Sequence, residues 1–146
     1  MLNWQSIVIH HSLTKDSATV SWDAIRRFHK AKGWREIGYH AGIEKVGKTY
    51  EVLLGRPLDW GGSHTKGKNQ TSLGFVFIGN YDETDPPSEM LKVAAERVIR
   101  PWMKIFNIPA NRIFGHRDFA SKSCPGRKFH IQQLIDTLNS LPEADK

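Results

Sequence analysis

Leu73-Gly74-Phe75-Val76-Phe77-Ile78 is a continuous apolar run that stops at Gly79-Asn80. A strand buried on one face alternates apolar and polar residues, so an unbroken run fits a central strand covered on both sides. Gln5 to His10, dominated by β-branched residues, reads as a second buried strand ending at the pair His10-His11. Ile37 to Glu44 and Thr49 to Leu54 read as two further strands joined through a hairpin turn at Val46-Gly47-Lys48. Asn111 to Phe114 reads as a short strand.

Helical spacing fills the intervals. Ser21 is placed as an N-cap, followed by Trp22, Ile25 and Phe28 on one face and Gly33 beyond the end, which predicts a helix over 22–32. His29 on that helix is expected to be a surface or core filler. After Asp85-Pro86-Pro87, Ser88 is expected to cap a long amphipathic helix carrying Met90, Leu91, Ala94, Val98, Trp102 and Ile105. Pro101 would remove a backbone hydrogen bond inside it, predicting a kink or an early end near residue 100. Ile131 to Leu141 has Ile131, Leu134, Ile135 and Leu138 on one face and reads as a last helix. Strands interleaved with helices define an α/β class, a central mixed β-sheet flanked by helices. The 146 residues suffice for one domain with a real core and are few for two, so residues 1–146 are read as a single domain.

Composition narrows the class. Hydrophobic residues at 39% and charged residues at 25% are near globular averages, which argues against wholesale disorder. No apolar run approaches the roughly 20 residues needed to span a bilayer, so no membrane insertion is expected. Met1-Leu2-Asn3-Trp4 shows neither a basic nor an apolar leader pattern, and no export signal is visible. The net charge of +6 suits a polyanionic partner, which nucleic acid and the bacterial envelope both are. The basic residues are scattered and no nucleic-acid signature is present, so a solvated surface is expected and no nucleic-acid partner. A single cysteine cannot form an internal disulfide, and a thiol kept reduced suits synthesis in a cytoplasm.

That cysteine stands in a loop of unusual content, Gly115-His116-Arg117-Asp118-Phe119-Ala120-Ser121-Lys122-Ser123-Cys124-Pro125-Gly126. Each piece has an ordinary explanation, since buried free cysteine is common and a Gly-His pair is often a surface turn. Together, neutral imidazole nitrogen and thiolate sulfur are the donors that Zn²⁺ binds well. Lys122, two residues from the thiol, favours thiolate, and Pro125 restricts Cys124 to an extended conformation. Two ligands do not hold a zinc, and a third is offered by His10 or His11. Strand alternation sends those two to opposite faces, so at most one of them faces a shared site. Three ligands leave a fourth position for water, the pattern of a catalytic zinc. By the same alternation one of Tyr39 and His40 is a site candidate and the other packing. Arg56 to Asn69, rich in Gly, Ser and His, with Trp60 and His64 prominent, is either a binding wall or an ordinary connection.

With these residues assembled, the chain resembles the zinc-dependent N-acetylmuramoyl-L-alanine amidases. Ile-Val-Ile-His-His-Ser at 7–12, Gly-Tyr-His at 38–40, Gly-Ser-His at 62–64, Ser-Leu-Gly at 72–74 and Gly-His-Arg-Asp with Lys-Ser-Cys-Pro-Gly occur in the family's order. Within that group it is most similar to the short phage lysozyme-type amidase endolysins, which share a domain with peptidoglycan recognition proteins. The resemblance implies Zn²⁺ on His10, His116 and Cys124, with Lys122 and Tyr39 as catalytic residues beside it. It implies a peptidoglycan substrate cut between N-acetylmuramic acid and L-alanine, with Trp60 and His64 suited to a sugar and peptide groove. An endolysin made in the host bacterial cytoplasm, acting on the cell wall after release, is the expected setting, and a monomer the expected state. A cytoplasmic amidase recycling muropeptides is the nearest alternative, and a module that binds peptidoglycan without cutting it the next. A pure binder has no need of Cys124, Lys122 and Tyr39.

Overall fold

The computed structural model describes residues 2–13 and 21–143. Five strands form one mixed sheet: β1 (Ser6–His11), β2 (Ala41–Val46), β3 (Thr49–Leu54), β4 (Ser72–Phe77) and β5 (Ile113–Gly115). Their order is β3-β2-β4-β1-β5, with every pairing parallel except the β2–β3 hairpin at one edge. The apolar run that starts at Leu73 is thus internal, between β2 and β1, and all of β4 is buried. Gly47 at φ +63° makes the hairpin turn.

Alternation along the strands divides the core between the two faces of the sheet. Ile7, Ile9, Leu73, Phe75 and Phe77 point to one face and pack with Met90, Leu91, Ala94, Trp102 and Leu134. Val76 and Ile78 point to the other and pack with Trp22 and Ile37 under α1 (Ser21–Ala31). The cap expected of Ser21 falls on a side chain outside the described residues. Phe28, expected on the apolar face of α1, is instead exposed, with the Lys32 ammonium 5.2 Å from its ring centre. The face presented to the sheet is narrow, and Trp22 with half-buried Ile25 fills it.

The long helix departs from expectation in two places. Pro87, not Ser88, occupies the N-cap position, and no side chain caps this end. Nor does Pro101 end the helix: α2 (Ser88–Ala94) passes through a π-helical turn (Ala95–Ile99) into α3 (Arg100–Phe106). In that turn the Arg100 N–H reaches back to the Ala95 carbonyl, five residues away. The wider turn takes up an extra residue and so shifts the apolar stripe by one position. Trp102, Met103 and Phe106 then meet the core, and Ile105, expected among them, is 67% exposed. The last helix, α4 (Ile131–Ser140), buries Leu134 as its phase requires.

Candidate active site

Strand register builds the centre of the site. Ile9 of β1 is paired with Gly115 at the end of β5, so the residues that follow them, His10 on β1 and His116 just past β5, stand side by side with ring centres 4.7 Å apart. Beyond His116 the chain makes a short turn in which Asp118 Oδ2 accepts from the Gly115 N–H at 2.9 Å. The Arg117 N–H donates to the Cys124 carbonyl at 2.8 Å, which folds the loop back. The His11 N–H points at Cys124 Sγ at 3.3 Å, so the sulfur sits against the end of β1. His10 Nδ1 lies 3.7 Å from that sulfur. One donor atom from each of His10, His116 and Cys124 falls within 4.8 Å of the other two.

The loop is anchored from outside. Asp82 accepts from the Ser123 hydroxyl at 2.9 Å and from the Arg127 N–H at 2.8 Å. Gly126 adopts φ +124°, and a Cβ there would come within 2.5 Å of the Tyr81 backbone, so only glycine lets the chain leave the site by this path.

Burial prepares these groups differently. Burial, reinforced by the other imidazoles and Lys122, holds His10 well below the usual histidine value. Burial and then Lys122 lower His116 as well, leaving both rings neutral with lone pairs free to ligate. Burial pushes the Cys124 thiol up to about 11, against the pull of the His11 N–H, Arg117 and Lys122. The thiol therefore keeps its proton at neutral pH until a bound cation displaces it. Burial also raises the Tyr39 phenol, and the Cys124 charge raises it further, so Tyr39 is a hydrogen-bond donor and not a ready base.

These residues line a cavity of about 490 Å³, together with His11, His29, Trp34, Ser63, His64 and Lys122. A neighbouring cavity of about 510 Å³, lined by Lys66, Asn69 and Phe119, shares Trp34, Ser63, His64, His116 and Lys122 with the first. The two are lobes of one groove, and exposed Lys122 stands where they meet.

The structure thus gathers His10, His116, Cys124, Tyr39 and Lys122 around one cavity. The His11 ring turns toward Tyr81, its Nδ1 accepting from the Tyr81 N–H at 3.1 Å, and the residue borders the cavity without bringing a donor atom to the His10, His116 and Cys124 set. Of the neighbours Tyr39 and His40, Tyr39 lines the cavity and His40 is buried edge-on against Trp4. His64 lines both lobes, whereas Trp60 lines neither; the Arg35 guanidinium stacks 3.6 Å above its ring. His29, expected as filler, lines the cavity and accepts from the Gly38 N–H at 3.0 Å. The Gly33 that ends α1 turns Trp34 back beside it, with ring centres 4.5 Å apart. The Trp34 and Gly-Tyr-His positions that follow α1 were the available signal for this wall.

Known proteins place the site in context. The chain belongs to the Amidase_2 family, N-acetylmuramoyl-L-alanine amidase, whose pattern it matches over residues 1–127. An endolysin of Klebsiella phage KP32 is 34% identical over 121 residues, covering 82% of this chain and 78% of the phage protein. Among solved structures, the N-acetylmuramoyl-L-alanine amidase LysC from Clostridium intestinale URNW superposes with a TM-score of 0.78 at 30% identity, covering 94% of this chain and 87% of its own. Drosophila PGRP-LB superposes with a TM-score of 0.75 at 29% identity, covering 97% of this chain and 83% of its own.

Proposed function

We propose that this protein is a zinc-dependent amidase that cuts peptidoglycan between N-acetylmuramic acid and the L-alanine of the stem peptide, and that it acts as a phage or prophage endolysin. The observation that carries the reading is the convergence of two imidazoles and a thiol, each donor within 4.8 Å of the others, on the wall of an open groove. Neutral nitrogens and a sulfur suit zinc, and a three-donor set leaves room for water or substrate. His10, His116 and Cys124 would hold the ion. When bound, zinc supplies Lewis acidity toward the amide carbonyl and a nucleophile active at neutral pH.

The chain's own residues do the rest. Tyr39, kept protonated by burial, donates its hydroxyl proton as a hydrogen bond to the oxygen on which charge develops. Lys122 offers an ammonium to the same charge from the seam of the two lobes. Trp34 and Ser63, shared by both lobes, form the wall along which a sugar and peptide chain can lie. Likeness to phage endolysins favours the endolysin setting, made in a host cytoplasm and reaching the wall after release. No described helix is long and apolar enough to cross a membrane.

A defined muropeptide tests the reaction: mass analysis should show free stem peptide with an N-terminal alanine and an intact sugar carboxylate. Binding to sacculi with no such product would favour a recognition module. Lys122→Ala should retain zinc and sacculus binding while single-turnover kcat falls by roughly 10²–10³, as for loss of one oxyanion donor. An unchanged rate constant would remove Lys122 from the chemistry.

A further inference from the structure

His64 stands in the groove wall, but its hydrogen bonds run inward. Its Nε2 lies 3.0 Å from the Ser72 carbonyl and its Nδ1 lies 3.0 Å from His10 Nε2. A carbonyl oxygen only accepts, so His64 Nε2 carries the proton, and in a neutral ring Nδ1 is then bare. Were His10 Nε2 bare as well, two lone pairs would face each other at 3.0 Å. His10 Nε2 therefore carries a hydrogen, and the ring's one available lone pair is on Nδ1, the atom 3.7 Å from Cys124 Sγ. Thr65 fits the same order: its hydroxyl is 2.9 Å from His64 Nδ1 and 3.3 Å from His10 Nε2.

The ring is also fixed in place. A Cβ on Gly62 would meet the His64 ring at 2.4 Å, and one on Gly74 would meet it at 2.5 Å, so these two glycines leave a slot the imidazole fills. His10 and His64 cross nearly at right angles, 86°, with ring centres 5.0 Å apart. Register puts Ser72 and Gly74 of β4 on the face that carries His10. One patch of sheet thus supplies both the ligand candidate and the acceptor that fixes its partner.

We infer that His64 is a positioning residue, which through the relay Ser72 carbonyl, His64, His10 holds His10 in the tautomer and orientation that present Nδ1 to the metal. The inference rests on the zinc reading for its purpose, and on the hydrogen-bond pattern alone for its existence. A partner of this kind typically contributes 10–100-fold in metal affinity.

The test uses three variants and two readouts. Zinc affinity, measured by competition with a chromophoric chelator, should weaken roughly 10–100-fold in His64→Ala and in His64→Phe, which fills the slot without an acceptor. His64→Gln, able to accept from His10 and donate to Ser72, should recover part of that loss. The second readout is ¹⁵N NMR of His10 in zinc-free protein, which should show the Nε2–H tautomer in the wild type and a tautomer mixture in His64→Phe. Zinc affinity within twofold of wild type in folded His64→Phe, or a His10 tautomer unchanged by the substitution, overturns the inference. If the wild type binds no zinc, the metal reading fails and the tautomer measurement still decides whether His64 governs His10.

Discussion

On one face of the sheet Ile7, Ile9, Leu73, Phe75 and Phe77 form an all-apolar row beneath the helical layer, whereas on the other His10, Ser72 and Gly74 of the same strands carry a chain of hydrogen-bonded imidazoles. The two rows alternate residue by residue along β1 and β4. The apolar face is bound by contact area, which is non-directional and tolerates repacking of similar volume. The His10 end of the other face is bound by direction: His10 Nε2 and His64 Nδ1 meet each other and the Thr65 hydroxyl, and the Ser72 carbonyl fixes which nitrogen of His64 carries the hydrogen. The first supplies the rigidity that the second needs to keep three donor atoms together.

Substitutions on the two faces should therefore fail differently. Cys124→Ala should show the largest effect, with zinc content falling from one per chain toward none and sacculus hydrolysis to background while the fold survives. Retention of full zinc would break the assignment of that ligand. Phe75→Ala, fully buried on the apolar face, should cost about 3–5 kcal/mol of stability in denaturant titrations. Its folded fraction should still bind zinc at wild-type stoichiometry, and loss of zinc from the folded protein would mean that the faces are not separable.

His11 sharpens the contrast because it is the immediate neighbour of His10. His11→Ala should leave zinc in place and cost about 1–3 kcal/mol, because the buried Tyr81 N–H loses its acceptor. Acid should act on the buried rings themselves. Burial holds His40 down to about 4 and His64 down to about 3, both below the ordinary value near 6.5. The unfolded chain then takes up protons before the folded one as pH falls below about 6.5. Each ring should remove about 1.4 kcal/mol of stability per pH unit down to its folded value. Melts of zinc-free protein should be flat above pH 7 and fall steadily toward pH 4; a rise on acidification would contradict neutral burial of these rings.

Much of this was legible in the residues because it depends on period and type. The unbroken Leu73–Ile78 run announced an internal strand, and β-branched content announced β1. Alternation separated His10 from His11, and the pairing of imidazole and thiol types with a nearby lysine marked the loop. What was not legible depends on phase and on backbone partners. The π turn at 95–99 resets the helical stripe, so Ile105 is turned to solvent although its spacing was correct. The N-terminal cap expected of Ser88 was misplaced because Pro87 takes that position without any side-chain bond. His64 was read as a groove residue and lines both lobes, but its partner at Nε2, the Ser72 backbone carbonyl, is one that no residue type reveals. The groove's second lobe is likewise assembled from separate segments, Lys66 with Asn69 and Phe119, that have no pattern in common.

The central claim is that zinc on His10, His116 and Cys124 is required for amide cleavage, and it is tested most directly by measuring metal content and hydrolysis of purified sacculi on one sample. Protein prepared without added metal should carry one zinc per chain, lose it together with hydrolysis on chelation, and regain both in proportion as zinc is returned. Undiminished hydrolysis by the metal-free protein would contradict the account.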